Sequence, residues 1–409
     1  MSLFGVLRTG VSGMNAQSNR IGTISENVQN SSTTGYKRTS TEFSSLLIEG
    51  SDSGVYNSGA VETVLRRSIG DDGPIAATTS NSDLAIQGKG FFVVQDGSNR
   101  PYLTRAGNFV VDGPTGNLVN AGGFTLMGYS LANGEPTPTL NTFDGLVPVN
   151  LASLGMQAKP STQGEITGNL PADAPAIPAG TAPPAGTAYS KKTQLATYDP
   201  QGRKVILDVY LTKTAANTWS ASIYDSANPA SFPATPLAGS TALTFGADGR
   251  LTSAGTATIT LGGRSVALDM SGVTQLAAAY DLKGQANGSA ASAVKGTEFG
   301  SDGTVYAIYE DGSRVAAFKV PLGDVASPDN LTPRAGNVFE ATPESGSVQV
   351  GFATAGGRGT IKSGALEQSN VDVSTELTAM IESQTVYTAN SKVFMTSNEM
   401  LDTLMNLKR

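Results

Sequence analysis

The sequence predicts a mainly β protein with α-helical termini, and three observations carry that. Both ends repeat apolar residues at alternating spacings of three and four, the seam of a coiled coil. Between about 50 and 365 no helical pattern of comparable length occurs, and short β-branched and aromatic runs alternate with Gly and Asp-Gly instead. Two composition shifts, a Pro/Ala-rich stretch at 171–189 and a Gly/Ala/Ser-rich one at 283–296, divide that β region.

In the N-terminal helix Phe4, Leu7, Val11, Met14, Ile21 and Val28 share a seam with two polar layers, Ser18 and Ser25. The pattern then dissolves into "NSSTTG", turn-forming residues that end a helix of about 1–30. Leu377, Met380, Tyr387, Phe394, Leu401 and Met405 form the C-terminal seam, with Val373 at its start and polar layers at Gln384, Ser391 and Asn398. A second stripe of Val386, Val393, Met400 and Leu407 widens its face. That helix is expected within 363–409, with Asn370 or Asp372 as cap. An isolated helix of this length is marginal in water, so the first needs a partner: the second helix, or other copies of the chain.

Strands are expected in "DLAIQGKGFFVVQDG", "NLVNAGGFTLMGYS", "RKVILDVYLTK", "NTWSASIYD" and "TVYAIYEDGSRVAAFKV", the last folded back at "YEDGSR". Five prolines exclude a central strand or a helix from 171–189. The expected architecture is nested. An inner β domain comprises 76–150 and 276–362, an outer one at 151–275 is inserted in it, and 31–75 connects the helices to the β domains.

Of 409 residues none is Cys or His, which excludes disulfides, thiolate and imidazole catalysis, and zinc or copper sites built from those side chains. A net charge of −7 without long runs argues against nucleic-acid binding. "GKG" at 88–90 lacks the strand–loop–helix setting of a phosphate loop. The Asp-Gly pairs at 72–73, 112–113, 248–249, 302–303 and 311–312 lack EF-hand ligand spacing and read as hairpin turns. Ser190 beside Lys191 gives no nucleophile–base geometry. No catalytic, metal or cofactor residue is therefore expected, and the chain is read as no enzyme. The first twenty residues lack a secretory h-region, and no apolar run reaches 18 residues, so no membrane insertion is expected.

Asn27, Val28, Asn30, Thr33, Thr34, Gly35, Tyr36 and Lys37 form "N-V-x-N-x-x-T-T-G-Y-K". This resembles the N-terminal signature of the bacterial flagellar rod and hook axial proteins. "SDLAIQGKGFFVV" and "YLTRAGNFVVDGPTGNLVNAGGFTLMGY" look like that family's first β domain, and 364–409 looks like its C-terminal helix. "VYLTKTAANTWSASIYD" and "LTFGADGRLTS" are similar to the outer domain of hook-type members, which rod-type members usually lack. The resemblance implies a subunit of the hook, a curved tubular homopolymer that carries torque from rod to filament while bending as a universal joint. It implies no cofactor. Its partners would be copies of itself, rod proteins, the hook cap protein, the hook–filament junction proteins and the flagellar type III export apparatus. Export would occur without a signal peptide, to an extracellular place in the hook and basal body. The helix seams would pack between subunits, and Asn27, Asn30, Thr34, Gly35, Tyr36 and Lys37 would open the connector. Phe43 and Leu47 resemble the Phe-x-x-x-apolar segment that such substrates present to the export gate.

Two alternatives remain at this point. One is a distal rod protein. The other is a secreted carbohydrate-binding or adhesive β protein, which would need an exposed aromatic platform, and Trp219 is the one Trp available.

Overall fold

The computed structural model describes residues 3–45, 61–136 and 142–407, and divides into two compact units. The first comprises 1–154, 296–308 and 314–409, and the second 155–295 with 309–313.

Within the first unit, helix α1 (Leu3–Gln29) and helix α2 (Val373–Leu407) run antiparallel. A Cβ on Gly10 would meet Phe394 and one on Gly13 would meet Asn390, while Arg20 reaches Glu382 and Asn27 reaches Glu376. Helix α2 starts later than 363 because Ala365–Glu367 is a strand, paired antiparallel with Ile75–Ala77. Of the two expected caps it is Asp372 that acts, accepting from the backbone N–H of Ser374 at 2.9 Å and from the Thr375 hydroxyl. The connector 31–75 is not plain linker. It holds an antiparallel pair, β1 (Thr39–Ser45) and β2 (Val61–Arg67). This pair lies along α1 through polar contacts: Val61 N–H to Ser12 Oγ, Asn19 Nδ2 to Thr63 Oγ1, and the Thr23 and Thr41 hydroxyls with each other.

The main sheet of this unit follows the order 294–299, 304–309, 314–319, 125–130, 91–95, 101–104, 338–340, 332–334. Strand 91–95 is central. Phe92 and Val94 enter one core with Leu84, Phe109, Leu126 and Leu322; Phe91 and Val93 enter another with Leu103, Met127 and Phe339. Burial on both faces explains why "FFVV" is continuously apolar instead of alternating. The "YEDGSR" turn forms as expected, with Gly312 at φ +80° closing the 304–309 and 314–319 hairpin.

The second unit contains an antiparallel meander of 191–198, 204–215, 218–225 and 241–244, and a mixed sheet in which 163–171 pairs parallel with 264–269 and 273–276 and antiparallel with 281–286. Both sheets contribute to one core that includes Leu195, Val209, Trp219, Ile223, Ile259 and Leu268. This corrects the far boundary expected at 275. The "KGQANGSAASAVKG" stretch supplies strands 281–286 and 289–292, because small residues there pack along 163–171 and 157–159.

Candidate functional site: the helix–body joint and the helix faces

Helix α1 stops because its last turn is capped from its own polar continuation. Asn30 Nδ2 donates to the Glu26 carbonyl at 2.9 Å, Ser31 Oγ to the Val28 carbonyl at 2.8 Å, and Thr33 Oγ1 to Asn30 Oδ1. Gly35 then turns the chain at φ +69°, and its N–H donates to the Glu367 carbonyl at 2.8 Å. A Cβ there would lie 2.6 Å from the Ala106 backbone nitrogen, so the turn requires glycine twice over. The Thr34 carbonyl accepts from Asn337 Nδ2 at 3.0 Å.

Asn27 is buried and fully bonded. Its Nδ2 donates to the Thr39 carbonyl and to Glu376 Oε2, and its Oδ1 accepts from Thr39 N–H and from the Tyr36 hydroxyl. Glu376, in the first turn of α2, also accepts from Arg38 Nε at 2.6 Å. A carboxylate there suits the positive end of the helix dipole. Asn370 completes this layer, with Oδ1 accepting from Arg38 N–H and Nδ2 donating to the Ser68 carbonyl.

Below it lies a buried charge cluster. Lys37 Nζ donates to Glu367 Oε1 at 2.6 Å and to the Asp71 carbonyl. Arg105 Nη1 reaches Glu367 Oε2 at 2.9 Å and Asp72 Oδ1 at 3.1 Å, and its Nη2 donates to the Gly88 carbonyl. The Arg105 guanidinium stands 5.1 Å from the Phe91 ring centroid. Gly73 N–H donates to Glu367 Oε1 at 2.9 Å. Burial holds the Lys37 ammonium below its ordinary range, against the pull of Glu367. Burial also works to raise Glu367, but Arg105 and then Lys37 outweigh it and leave the carboxyl below its ordinary range. The two directions disagree about the charge of the pair. We read it as ionised, because both carboxylate oxygens face cations at hydrogen-bond distance. Burial, then Glu26 and Glu376, push the Tyr36 phenol up to about 12.

Connector residues Asn27, Asn30, Thr34, Gly35, Tyr36 and Lys37 thus come together, as a bonded joint rather than as the start of a loose link. Sequence reasoning missed Arg38, Arg105, Glu367 and Glu376, and read Asn370 as a helix cap and Asp72 as a turn residue where both belong to the joint. A charged residue directly after a strand-like run, in "YLTRAGNF" and "GALEQSN", was the available signal.

The helix seams divide differently. Within the chain, α1 presents Gly10, Gly13, Gln17, Arg20 and Asn27 to a face of α2 that includes Glu376, Ser383, Asn390 and Ser397. These rows are shifted from the expected ones. Met380, Phe394 and Leu401 are half-buried, whereas Leu377, Tyr387 and Met405 are exposed, as is Val11 on α1. Leu7, Met14, Ile21 and Val28 are half-buried. The Phe4 side chain and Leu47 lie outside the described residues. Phe43, on β1, is 40% exposed, with the Arg20 guanidinium 6.0 Å from its ring centroid. Trp219 is fully buried, so the one Trp offers no binding platform.

Three family models match the chain. "Flagella basal body rod protein" covers residues 7–37, "Flagellar hook protein FlgE/F/G D1 domain" 85–167, and "Flagellar basal body rod FlgEFG protein C-terminal" 362–407. The flagellar hook protein FlgE of Rhizobium meliloti is 48% identical over 100% of both chains. The chain belongs to the flagellar hook protein family. The FlgE of Brucella abortus is 45% identical, again over 100% of both chains. That of Salmonella typhimurium is 32% identical over 97% of this chain and 98% of its own. Among the described residues, no helix of this hook-family chain is long and apolar enough to cross a membrane.

Proposed function

We infer that this chain is a structural subunit of the bacterial flagellar hook, a curved tubular polymer that transmits torque from rod to filament as a universal joint. One observation carries the mechanism. The α1–α2 contact within the chain draws heavily on Gly, Ser, Asn and Glu, while many large apolar residues of α2, among them Leu377, Ile381, Met400, Leu404 and Met405, face outward. Ile381 is 65% exposed and Leu404 60%. A monomer gains nothing from that arrangement; a tube whose inner wall is built from helices of many copies buries it. The connector joint fastens those helices to the β body, so load on the inner wall reaches the body of the same subunit through buried ion pairs and not through a slack linker.

Chemistry has no part in this reading, and the protein acts by shape and packing rather than as an enzyme. Its first partner is its own kind. Rod proteins at one end, hook–filament junction proteins at the other, the hook cap protein during growth and the type III export apparatus before it complete the set. The subunit would reach the outside of the cell without a cleaved signal peptide. The second unit, 155–295 with 309–313, favours a hook subunit over a distal rod protein. The burial of Trp219 removes the main argument for a glycan-binding module. Electron microscopy of the purified protein under polymerising conditions tests the reading: short curved tubes are expected, and straight rods or persistent monomers would overturn it.

A further inference from the structure

Four separated stretches of the chain build the buried charge cluster: Lys37, the turn at Asp71–Gly73, Arg105, and Glu367. The turn meets the other three stretches through three different residues, whereas Glu367 meets them with one carboxylate. Its Oε1 accepts from Lys37 Nζ and Gly73 N–H, and its Oε2 from Arg105 Nη1. Its own carbonyl accepts from Gly35 N–H, where α1 hands over to the connector. Asn370 and Glu376 follow, and fasten Arg38, Ser68 and Asn27.

A chain is made from its N-terminus, so this segment is the last of the four to exist. Without it Lys37 and Arg105 would enter one buried site with Asp72 as their sole carboxylate, and the Asp72 side chain is 50% exposed. Two cations brought together out of water with one half-solvated counter-charge repel and lose hydration, so the closed joint is disfavoured. We propose that Glu367 is a charge latch: the connector stays open until segment 365–376 arrives, and closes when this carboxylate enters between the two cations. The fold thereby couples the docking of α1 to possession of a complete C-terminal segment. A partly delivered chain keeps its N-terminal helix undocked. The inference rests on the joint's geometry and not on the assembly reading.

Pulse-labelled hydrogen exchange during refolding of the full-length protein tests it. Gly35 and Gly73 N–H are expected to become protected in the same phase as Gln368 N–H, which donates to the Pro74 carbonyl. Glu367→Gln should slow that phase at least tenfold, or abolish it, while amides of 155–295 keep their rate. The double variant Lys37→Met/Glu367→Gln removes one cation together with the carboxylate charge and should recover at least threefold of the lost rate, or restore lost protection. Protection of Gly35 and Gly73 before Gln368 would overturn the latch. So would an unchanged rate in Glu367→Gln, or a double variant no better than the single one, since backbone pairing would then close the joint without the charges.

Discussion

Lys37 and Glu367, 330 positions apart in the chain, meet at 2.6 Å with both side chains 1% exposed. That contact relocates the stiffness of the molecule. A bending polymer needs compliant links, and 31–75 was the natural place to expect one. Instead this region carries a paired strand hairpin against α1 and ion pairs withdrawn from water, where Coulomb attraction is strong and screening by salt weak. These contacts tie the helices to the β body of the same unit at this joint.

Acid should loosen it. The folded-state value of Glu367 lies below its unfolded value of 4.5. The unfolded chain therefore binds the proton more readily, and stability rises with pH across the window between the two. The contribution is present above about pH 4.5 and is lost as pH falls through the folded value. Glu367→Gln should cost about 3–5 kcal/mol at neutral pH, because Lys37 and Arg105 lose their charge partner in a buried site. It should also remove up to one proton's worth of acid dependence, about 1.4 kcal/mol per pH unit. Urea unfolding of both proteins from pH 7 to pH 3 measures this, and parallel curves would contradict it.

Tyr36 adds an alkaline dependence at the same joint. Its phenol is pushed up to about 12 from an ordinary 10.0, so the folded chain favours the neutral form. That stability is fully present below pH 10 and is lost as pH rises towards 12. Tyr36→Phe should cost about 1 kcal/mol at pH 7 through the lost hydrogen bond to Asn27, and the penalty should shrink above pH 10 as the native phenol becomes a liability. Unfolding free energies at pH 7, 10 and 11 decide it.

What the sequence revealed depended on how local the cause was. The helices, the strand-rich middle and the Gly312 turn follow from periodicity and turn chemistry, which need only neighbours. The signature around Gly35 was visible as a motif, but its role was not. Its partners, Ala106, Asn337 and Glu367, are far along the chain, and nothing in "TTGYK" says that the lysine is buried. The far edge of the second unit escaped for a different reason. Gly, Ala and Ser at 283–296 have the composition of a linker, and only pairing with 163–171 makes strand 281–286 of them. The seam inside the chain was shifted because Gly10, Gly13 and Ser383 allow close approach of the helices, which a search for large apolar residues overlooks.

Gly35→Ala probes the turn itself. The left-handed backbone costs a non-glycine residue about 1–2 kcal/mol, and a Cβ 2.6 Å from a backbone nitrogen adds a displacement of 105–106 that no side-chain rotation relieves. Urea unfolding should show a total loss above about 2 kcal/mol. The strand 204–215 and its neighbours in the other unit should keep their amide protection.

Replacing Phe43 tests the proposed export segment separately from folding. It is 40% exposed on β1 with the Arg20 guanidinium beside its ring, so its replacement gives up part of a surface contact and no core packing. Phe43→Ala is expected to reduce secretion severalfold in a flagellated host while the purified protein loses no more than about 1 kcal/mol in urea unfolding. Wild-type secretion by the variant would remove Phe43 from the export segment.

The two faces of α2 make the strongest contrast. Phe394 is half-buried beside Gly10, so Phe394→Ala strips a contact inside the chain and should destabilise the monomer by about 1–2 kcal/mol. Leu404, 60% exposed on the same helix, has less surface to lose, and Leu404→Glu should leave monomer stability within about 0.5 kcal/mol. In a tube the outcome reverses. A carboxylate placed between packed helices must give up its hydration, so Leu404→Glu should raise the concentration needed for polymerisation at least tenfold, while Phe394→Ala affects it through monomer stability alone. Turbidity and sedimentation across a protein concentration series compare them. If Leu404→Glu polymerises at the wild-type concentration, the outward face of α2 is not the surface on which copies of this chain meet.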